Sequence, residues 1–115
     1  MPVFDLAAAR RLVPQLRAIT EAALREWAAC EARIEAAVDG GAPRPDAERA
    51  LERIVLEWTR RVTDLGAVAK GLWLVDFDNG DGYYCWRYPE TTVEYCHGHH
   101  EGFAGRRPIA PESLN

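Results

Sequence analysis

The sequence lacks the features that typify membrane-bound, secreted and nucleic-acid-binding proteins. No run approaches the roughly 18 consecutive apolar residues of a membrane-spanning helix, and the first residues do not join a cationic segment to an apolar one as a secretory signal does. Lysine and arginine total 14 against 18 acidic residues, and the two signs are interspersed, so no broad basic surface is expected to face a phosphate backbone. We therefore expect a cytoplasmic protein whose partners include neither membranes nor nucleic acids.

Cysteine is scarce as well, and common catalytic motifs are missing. The chain has three cysteines, an odd number that argues against a secreted disulfide framework, so reduced thiols are expected. No CxxC pair or HExxH segment occurs, and no serine lies near the histidines along the sequence. The sequence therefore names no reaction, and a hydrolytic triad is unsupported.

What the sequence does contain begins with a long amphipathic helical pattern. Asp5 is suited to accept hydrogen bonds from the free amides of the first turn. Pro14 cannot donate a backbone hydrogen bond and its ring crowds the preceding turn, so we predict a short helix over residues 6–12 and a kink or fresh start near Val13. After the proline, apolar residues recur every three or four positions, which predicts one buried stripe along a long helix. This stripe consists of Leu16, Ile19, Ala23, Trp27, Cys30, Ile34 and Val38.

A second helical pattern follows a segment rich in glycine and proline, residues 39–45, which ends the first helix. We predict that Asp46 caps the second helix and that Gly66 ends it. Similar lengths and a short linker predict an antiparallel hairpin, and apolar stripes wider than one small sheet can cover predict a homodimer through these helices. The predicted buried face of the second helix consists of Leu51, Ile54, Val55, Trp58, Val62 and Leu65.

At residue 72 the apolar period changes from helical spacing to alternation, and aromatic and β-branched residues become frequent. Glycine- and proline-containing turn sequences divide this region into three short segments. The pattern predicts three strands of an antiparallel meander over residues 72–77, 83–88 and 92–97.

The predicted fold class is α+β, with one domain over residues 1–115. A kinked helical hairpin (1–66) is expected to pack on the three-stranded meander (67–97). The remaining residues, 98–115, are expected to form a tail that docks against the rest of the domain.

Strand pairing decides which side chains of the meander meet. In the second hairpin we predict that Cys85 lies opposite Cys96 and Tyr84 opposite His97, because every pair in that register is then chemically sensible. The first hairpin stays open, since a shift of one residue in its loop moves Asp76 from one face of the sheet to the other. The predicted register would allow a redox pair of Cys85 and Cys96, although two small buried thiols are the simpler interpretation.

The run from His97 to Glu101 is the densest group of potential metal ligands in the chain. With residues of the predicted strands, it suggests a site for a divalent metal such as zinc held by His97, His99, Asp76 and Cys85. The spacing matches no established zinc motif, and a polar loop after a strand explains the same residues. Asp76 and His97 are also suited to act as an acid–base pair or, more simply, to form a hydrogen bond at the edge of the core.

A glycine-rich segment over residues 102–108 contains Arg106. Its guanidinium can bind a carboxylate or phosphate at two points, so Arg106 joins Asp76 and His97 as a candidate for binding a small-molecule ligand. The simpler interpretation is a tail that inserts Phe103 into the core and uses Arg106 to hold itself on a carboxylate.

Motifs at both ends of the chain match those of a known family. They are Phe4-Asp5-Leu6, Leu12-Val13-Pro14-Gln15-Leu16, Gly71-Leu72, Val75-Asp76-Phe77, Cys85-Trp86, His97 and Gly102-Phe103-Ala104-Gly105-Arg106. With these motifs the chain resembles the bacterial domain of unknown function 2203 family over nearly its whole length. The resemblance implies a small cytoplasmic bacterial protein without an established activity. The chain departs from the family pattern at Cys96, His99 and His100, which weakens any metal site that needs all three histidines.

Two functions follow as alternatives. The first is a non-catalytic ligand-binding or assembly module with a polar pocket at the strand ends, where Asp76 and His97 contact the ligand and Arg106 orients it. The second is a metal-dependent, hydrolase-like enzyme in which a divalent ion held by His97 and Asp76 activates a bound water.

Overall fold

The structure, a computed structural model, describes residues 3–40 and 44–110. Two helices precede an antiparallel sheet in which each strand pairs with the next along the chain. The α+β class is thus confirmed, whereas the sheet has five strands and not the predicted three. Part of the predicted linker (41–43) and the end of the predicted tail (111–115) lie outside the described residues. The elements are α1 (Leu6–Gly40), α2 (Arg44–Asp64), β1 (Val68–Gly71), β2 (Leu74–Asp78), β3 (Tyr83–Arg87), β4 (Tyr95–His97), a 3-10 turn (Phe103–Gly105) and β5 (Arg107–Pro108).

Helix α1 continues without a break through Pro14, so the fresh start predicted near Val13 is wrong. Val13 and Leu16, on either side of the proline, are both buried in the core. One turn earlier, the guanidinium of Arg10 donates two hydrogen bonds to the carbonyl oxygen of Val93 at 3.0 and 2.9 Å. These tertiary contacts outweigh the single backbone hydrogen bond that the proline removes.

The two helices pack as the predicted antiparallel hairpin. Thr20 of α1 contacts Trp58 of α2, while Cys30, farther along α1, lies in one groove with Ile54, which comes earlier in α2. The predicted cap of α2, Asp46, lies inside the first turn because the helix begins two residues earlier. Members of both predicted stripes, among them Leu16 of α1 and Trp58 of α2, lie in one core cluster, so helical periodicity predicted this packing; the side chain of Val38 lies outside the described part of the chain.

The sheet has an inner face toward the helices and an outer face away from them. Val75, Phe77 and Trp86 are fully buried and belong to the same core cluster as the helical stripes. Asp76 and Cys85 pair directly across β2 and β3, and strand alternation places both on the outer face. The question left open by the sequence, which way Asp76 points, is thereby answered.

A tight turn between β1 and β2 joins the sheet to the helical hairpin. It contains Trp73 at a positive φ of 66°, a backbone conformation that bulky side chains rarely adopt. The Trp73 ring packs edge-on against Trp27 of α1 at 6.1 Å and against Trp58 of α2 at 5.2 Å between ring centroids. Because Leu72 and Trp73 form this turn, β2 begins at Leu74 and a separate strand, β1, precedes it.

The second hairpin differs from its predicted register by one residue. His97 pairs with Tyr83 and not with Tyr84, which instead faces Cys96. Cys85 therefore faces no cysteine, and alternation places the two thiols on opposite faces of the sheet. The predicted register is wrong, and the alternative of a cross-strand redox pair, which depended on it, is excluded.

Hydrogen bonds around Glu90 explain the shift in register. The Glu90 amide donates to the carbonyl oxygen of Arg87 at 2.7 Å, and its carboxylate accepts the Arg87 amide, also at 2.7 Å. The Trp86 indole donates to the Glu90 carbonyl oxygen at 2.9 Å. The loop between β3 and β4 thus contains one more residue than the turn assumed from the sequence, which shifts the pairing of β4 with β3 by one residue.

Candidate functional site

Three of the predicted site residues meet on the outer face of the sheet. Asp76 on β2 faces Cys85 on β3, and His97 on β4 faces Tyr83, the neighbour of Cys85 on the same face. The potential ligand atoms of Asp76, Cys85 and His97 all lie within 4.8 Å of one another. We call these three residues the outer-face cluster.

The outer-face cluster is closed to solvent, although it lies on the face of the sheet that is turned away from α1 and α2. Asp76, Cys85 and His97 are 1%, 0% and 3% exposed. The ring of Tyr83 packs against His97 at 5.5 Å, and the ammonium of Lys70 lies 5.1 Å from the centre of the Tyr83 ring. The side chains of Tyr83 and Lys70 thus cover part of the cluster on the outer face of the sheet.

The tail supplies the other part of this cover through Arg106. Its guanidinium lies 4.2 Å above the Tyr95 ring and 4.7 Å from the Phe103 ring, and it donates to the Glu90 carboxylate at 2.7 Å. Phe103 itself stays largely exposed, so its predicted insertion into the core is wrong; Ile109 is buried instead. Burial is the largest single influence and works to lower the pKa of Arg106, but the bond to Glu90 and the further interactions with Cys85 and Glu90 together leave that pKa above its ordinary value. Arg106 is therefore held as a cation at the edge of the cluster.

The His97 ring is fixed by bonds at both nitrogens. Nδ1 lies 2.9 Å from the carbonyl oxygen of Gly98, and Nε2 lies 3.0 Å from Oδ2 of Asp76. A carbonyl oxygen only accepts, so Nδ1 must carry a hydrogen and donate it. The other ring nitrogen, Nε2, faces Asp76 and the rest of the cluster.

Asp76 and Cys85 complete the chemistry of the site. Oδ1 of Asp76 is buried and has no hydrogen-bond partner, which is uncommon for a carboxylate oxygen. Burial, followed by the negative charge of Asp76, raises the pKa of the Cys85 thiol to about 12, against a smaller opposing effect of Arg106. With no metal ion bound to it, the Cys85 thiol is therefore protonated at neutral pH and poorly suited to act as a nucleophile.

His99 does not join the other predicted metal ligands. Its Nε2 lies 3.1 Å from Oδ1 of Asp78, and its ring packs edge-on against Tyr83 at 4.9 Å. The amide of Gly80, and then His99, lower the pKa of Asp78. Of the four predicted ligands, three meet and the fourth forms a separate surface pair.

An open pocket of about 250 Å³ lies at the strand ends, but it is not the pocket expected around Asp76, His97 and Arg106. His97 contributes to its lining, but the imidazole is turned toward Asp76, and neither Asp76 nor Arg106 lines it. The pocket and the outer-face cluster are thus different sites. The lining residues are Asn79, Asp81, Gly82, Tyr84, Cys96, His97, Arg107 and Ile109.

The helical hairpin carries a larger and more apolar groove of about 470 Å³. Leu56 and Leu72, at its rim, are 69% and 51% exposed. Sequence reasoning assigned Trp27 and the apolar stripe of α2 to a core or an interface but gave no location for the unburied part. We call this surface the hairpin groove; it is lined by Trp27, Leu51, Glu52, Val55, Leu56 and Leu72.

Comparison with known proteins assigns the chain to a family without naming an activity. A family model described as "Uncharacterized conserved protein (DUF2203)" matches residues 2–109, so the chain belongs to this family and the resemblance inferred from its motifs is confirmed. No curated protein and no solved structure matches the chain significantly. Within the described residues, neither helix is long and apolar enough to cross a membrane.

Proposed function

We propose that this member of the DUF2203 family is a non-catalytic binding and assembly module. Two copies associate through the hairpin groove, and the outer-face cluster, covered by Arg106, holds a small ligand. The observation that carries the proposal is a contrast between two surfaces. The apolar groove is open, whereas the titratable groups Asp76 and His97 are almost completely buried.

The shape of the chain supports self-association. The molecule measures 58 × 25 × 24 Å, because the long hairpin extends beyond the small sheet. Leu56 and Leu72 are exposed at one apolar groove, and a contiguous apolar patch of this kind marks an interface. Glu52 is the charged residue of the groove lining, and the other five lining residues are apolar, as in an interface with an apolar centre.

The assembly proposal is tested by placing a charge in the groove. Sedimentation equilibrium of the wild-type chain is expected to give a dimer, and Leu56→Glu is expected to give a monomer with an unchanged far-ultraviolet spectrum. Ala18→Glu adds the same charge to an exposed position of α1 outside the groove and should leave the dimer intact. A monomeric wild type, or a Leu56→Glu variant as dimeric as Ala18→Glu, would reject assembly through this groove.

A second candidate function, a metal-dependent hydrolase, is favoured by the convergence of Asp76, Cys85 and His97. A catalytic metal needs an open coordination position that water and substrate can reach. The burial of all three residues opposes that requirement. Hydrolysis of activated esters and phosphate esters by zinc- or manganese-loaded protein, abolished by His97→Ala in a folded variant, would establish the enzyme; absence of turnover would leave the binding module.

A further inference from the structure

We propose that the outer-face cluster is a structural binding site for a divalent transition-metal ion of the zinc type. Asp76, Cys85 and His97 would be its protein ligands. This inference rests on the binding function proposed above, for which it names the ligand. It differs from the four-residue site expected from the sequence, because His99 is engaged elsewhere.

The first argument is the direction in which His97 presents its second ring nitrogen, Nε2. With its hydrogen on Nδ1, donated to the Gly98 carbonyl, a neutral imidazole presents only a lone pair at Nε2. This lone pair faces a carboxylate oxygen of Asp76 across 3.0 Å. Two acceptors at that distance repel unless a positive species lies between them or beside them. A proton or a metal ion can fill that role, and an outer hydrogen bond from Nδ1 to a backbone carbonyl is the usual support of a metal-binding histidine.

The second argument is the unsatisfied oxygen of Asp76. Oδ1 is buried without a partner, although leaving a buried acceptor unpaired is costly. A proton shared between Nε2 and Oδ2 does nothing for Oδ1, and the neighbouring Cys85 thiol is only a weak donor to this carboxylate. A metal ion beside the carboxylate would satisfy both oxygens, because carboxylates bind metals through one oxygen or two.

The third argument is the position and chemistry of Cys85. Its sulfur lies within 4.8 Å of the other ligand atoms. On binding, the thiol loses its proton to solvent and the resulting thiolate forms a bond to the metal, so one proton is released per ion and no electrons are transferred. The carboxylate and the thiolate then balance the two positive charges of the ion, with His97 as the neutral ligand.

The separations and the ligand types favour zinc over magnesium or calcium. Zinc bonds of about 2.0–2.3 Å in a tetrahedron place neighbouring ligand atoms roughly 3.3–3.8 Å apart. The distance of 3.0 Å between Nε2 and Oδ2 needs only a small opening to reach that range. A mixed set of nitrogen, sulfur and oxygen is typical of zinc and its neighbours, whereas magnesium and calcium prefer oxygen alone.

Arg106 closes the site without competing for it. Its charge is paired with Glu90 at 2.7 Å, and its guanidinium is directed to the backbone oxygen of Cys85 at 3.4 Å, not to the sulfur. The Tyr95 ring beneath it excludes water. Arg106 is therefore a positioning residue that keeps the metal ligands dry.

The test uses full-length, tag-free protein and zinc or cobalt as the probe. Metal analysis after purification in zinc-containing buffer is expected to give one zinc per chain. Cobalt is expected to produce the intense visible bands of a tetrahedral site and a thiolate-to-metal charge-transfer band. Cys85→Ser should remove the charge-transfer band, and Asp76→Asn or His97→Ala should weaken zinc binding by at least about 100-fold. His99→Ala is the matched control and should bind zinc like the wild type.

The outcomes separate this inference from the proposed assembly. Folded wild-type protein that binds neither zinc nor cobalt would overturn the metal site and leave a proton shared between His97 and Asp76. Stoichiometric zinc that persists in Cys85→Ser and Asp76→Asn, or that is lost only in His99→Ala, would overturn it as well. Because Leu56→Glu lies far from these ligands in sequence and on another surface, the state of assembly is read independently. A metal-bound monomer would reject the dimer alone, and a metal-free dimer would reject the metal site alone.

Discussion

The indole nitrogen of Trp58 donates a hydrogen bond to the hydroxyl oxygen of Thr20 at 3.0 Å and so links α2 to α1 inside the core. Both side chains are buried among apolar neighbours. If one helix slid along the other by a turn, both polar groups would be left unpaired in an apolar environment. The bond thus favours one alignment of the hairpin, which in turn places Trp58 against Trp73 of the sheet.

Replacing Thr20 tests this role. Thr20→Val keeps the shape but removes the acceptor, so the buried Trp58 N–H is unsatisfied and the free energy of unfolding should fall by about 1–3 kcal/mol. Thr20→Ser retains the hydroxyl and should lose much less. Urea denaturation followed by tryptophan fluorescence measures both. Equal losses in the two variants would show that the methyl group, and not the hydrogen bond, matters.

The pair of Glu90 and Arg106 is expected to hold the tail over the sheet. Glu90→Gln still accepts the Arg87 amide but no longer neutralises the guanidinium, so unfolding should become easier by about 1–2 kcal/mol. Glu57→Gln, which weakens an exposed pair on α2, should have a smaller effect. Urea unfolding compares the two, and an equal or larger loss for Glu57→Gln would contradict the importance of the tail contact.

High pH is expected to weaken the contact between Tyr88 and α1. The Tyr88 hydroxyl donates to the Glu21 carboxylate at 3.0 Å; that bond, then burial and then the charge of Glu21 raise the pKa of Tyr88. A raised folded pKa gives a stabilising contribution that is complete below pH 10, the ordinary value, and is lost as the pH rises through the higher folded value. The ultraviolet titration curve of the wild type minus that of Tyr88→Phe isolates the ionisation of Tyr88, and its midpoint should lie above pH 10. Glu21→Gln should lower this midpoint toward the ordinary value. A wild-type difference curve centred at or below pH 10 would contradict the prediction.

The opposite orientation of Cys85 and Cys96 predicts that no disulfide forms between them within a folded chain. Mild oxidation should leave both thiols of each chain free of an internal bond, as judged by mass spectrometry. Alkylation should modify the partly exposed Cys96 first, because Cys85 is buried and its pKa is raised to about 12. Loss of both thiols together, with the mass of a monomer, would refute the observed strand register.

Gly82 lies so close to β4 that a side chain does not fit. A Cβ at this position would lie 2.6 Å from the carbonyl oxygen of His97, a backbone atom that cannot move freely. Gly82→Ala should therefore destabilise the fold by about 1–3 kcal/mol. Gly71→Ala is the control, since its Cβ would meet nothing within 4 Å. Thermal unfolding that ranks Gly71→Ala as the more damaging change would contradict this account.

Local pattern was sufficient for the helices and for most of the site residues. The stripe that includes Leu16 and Cys30 recurs at helical spacing, and a period of three or four residues can bury only one side of a helix. Alternation likewise identified the residues of β2 to β4, and the chemistry of Asp76, Cys85 and His97 marked them as candidates before their positions were known. The five-stranded sheet was missed because β5 is two residues long and β1 is a short strand without a clear alternating pattern.

Periodicity and residue chemistry are local properties, so they predicted the α+β class, the helical hairpin and three of the four proposed metal ligands that meet on the sheet. Only the tertiary structure decided that α1 continues through Pro14, that β4 is shifted by one residue, and that Arg106 closes over the outer-face cluster. The first and the last depend on contacts between residues far apart in the chain: Arg10 with Val93, and Arg106 with Tyr95 and Glu90. The register depends on the hydrogen bonds of the Glu90 loop, which apolar periodicity does not reveal. These contacts form only when the chain is folded, and the spacing of residues along the sequence does not reveal them.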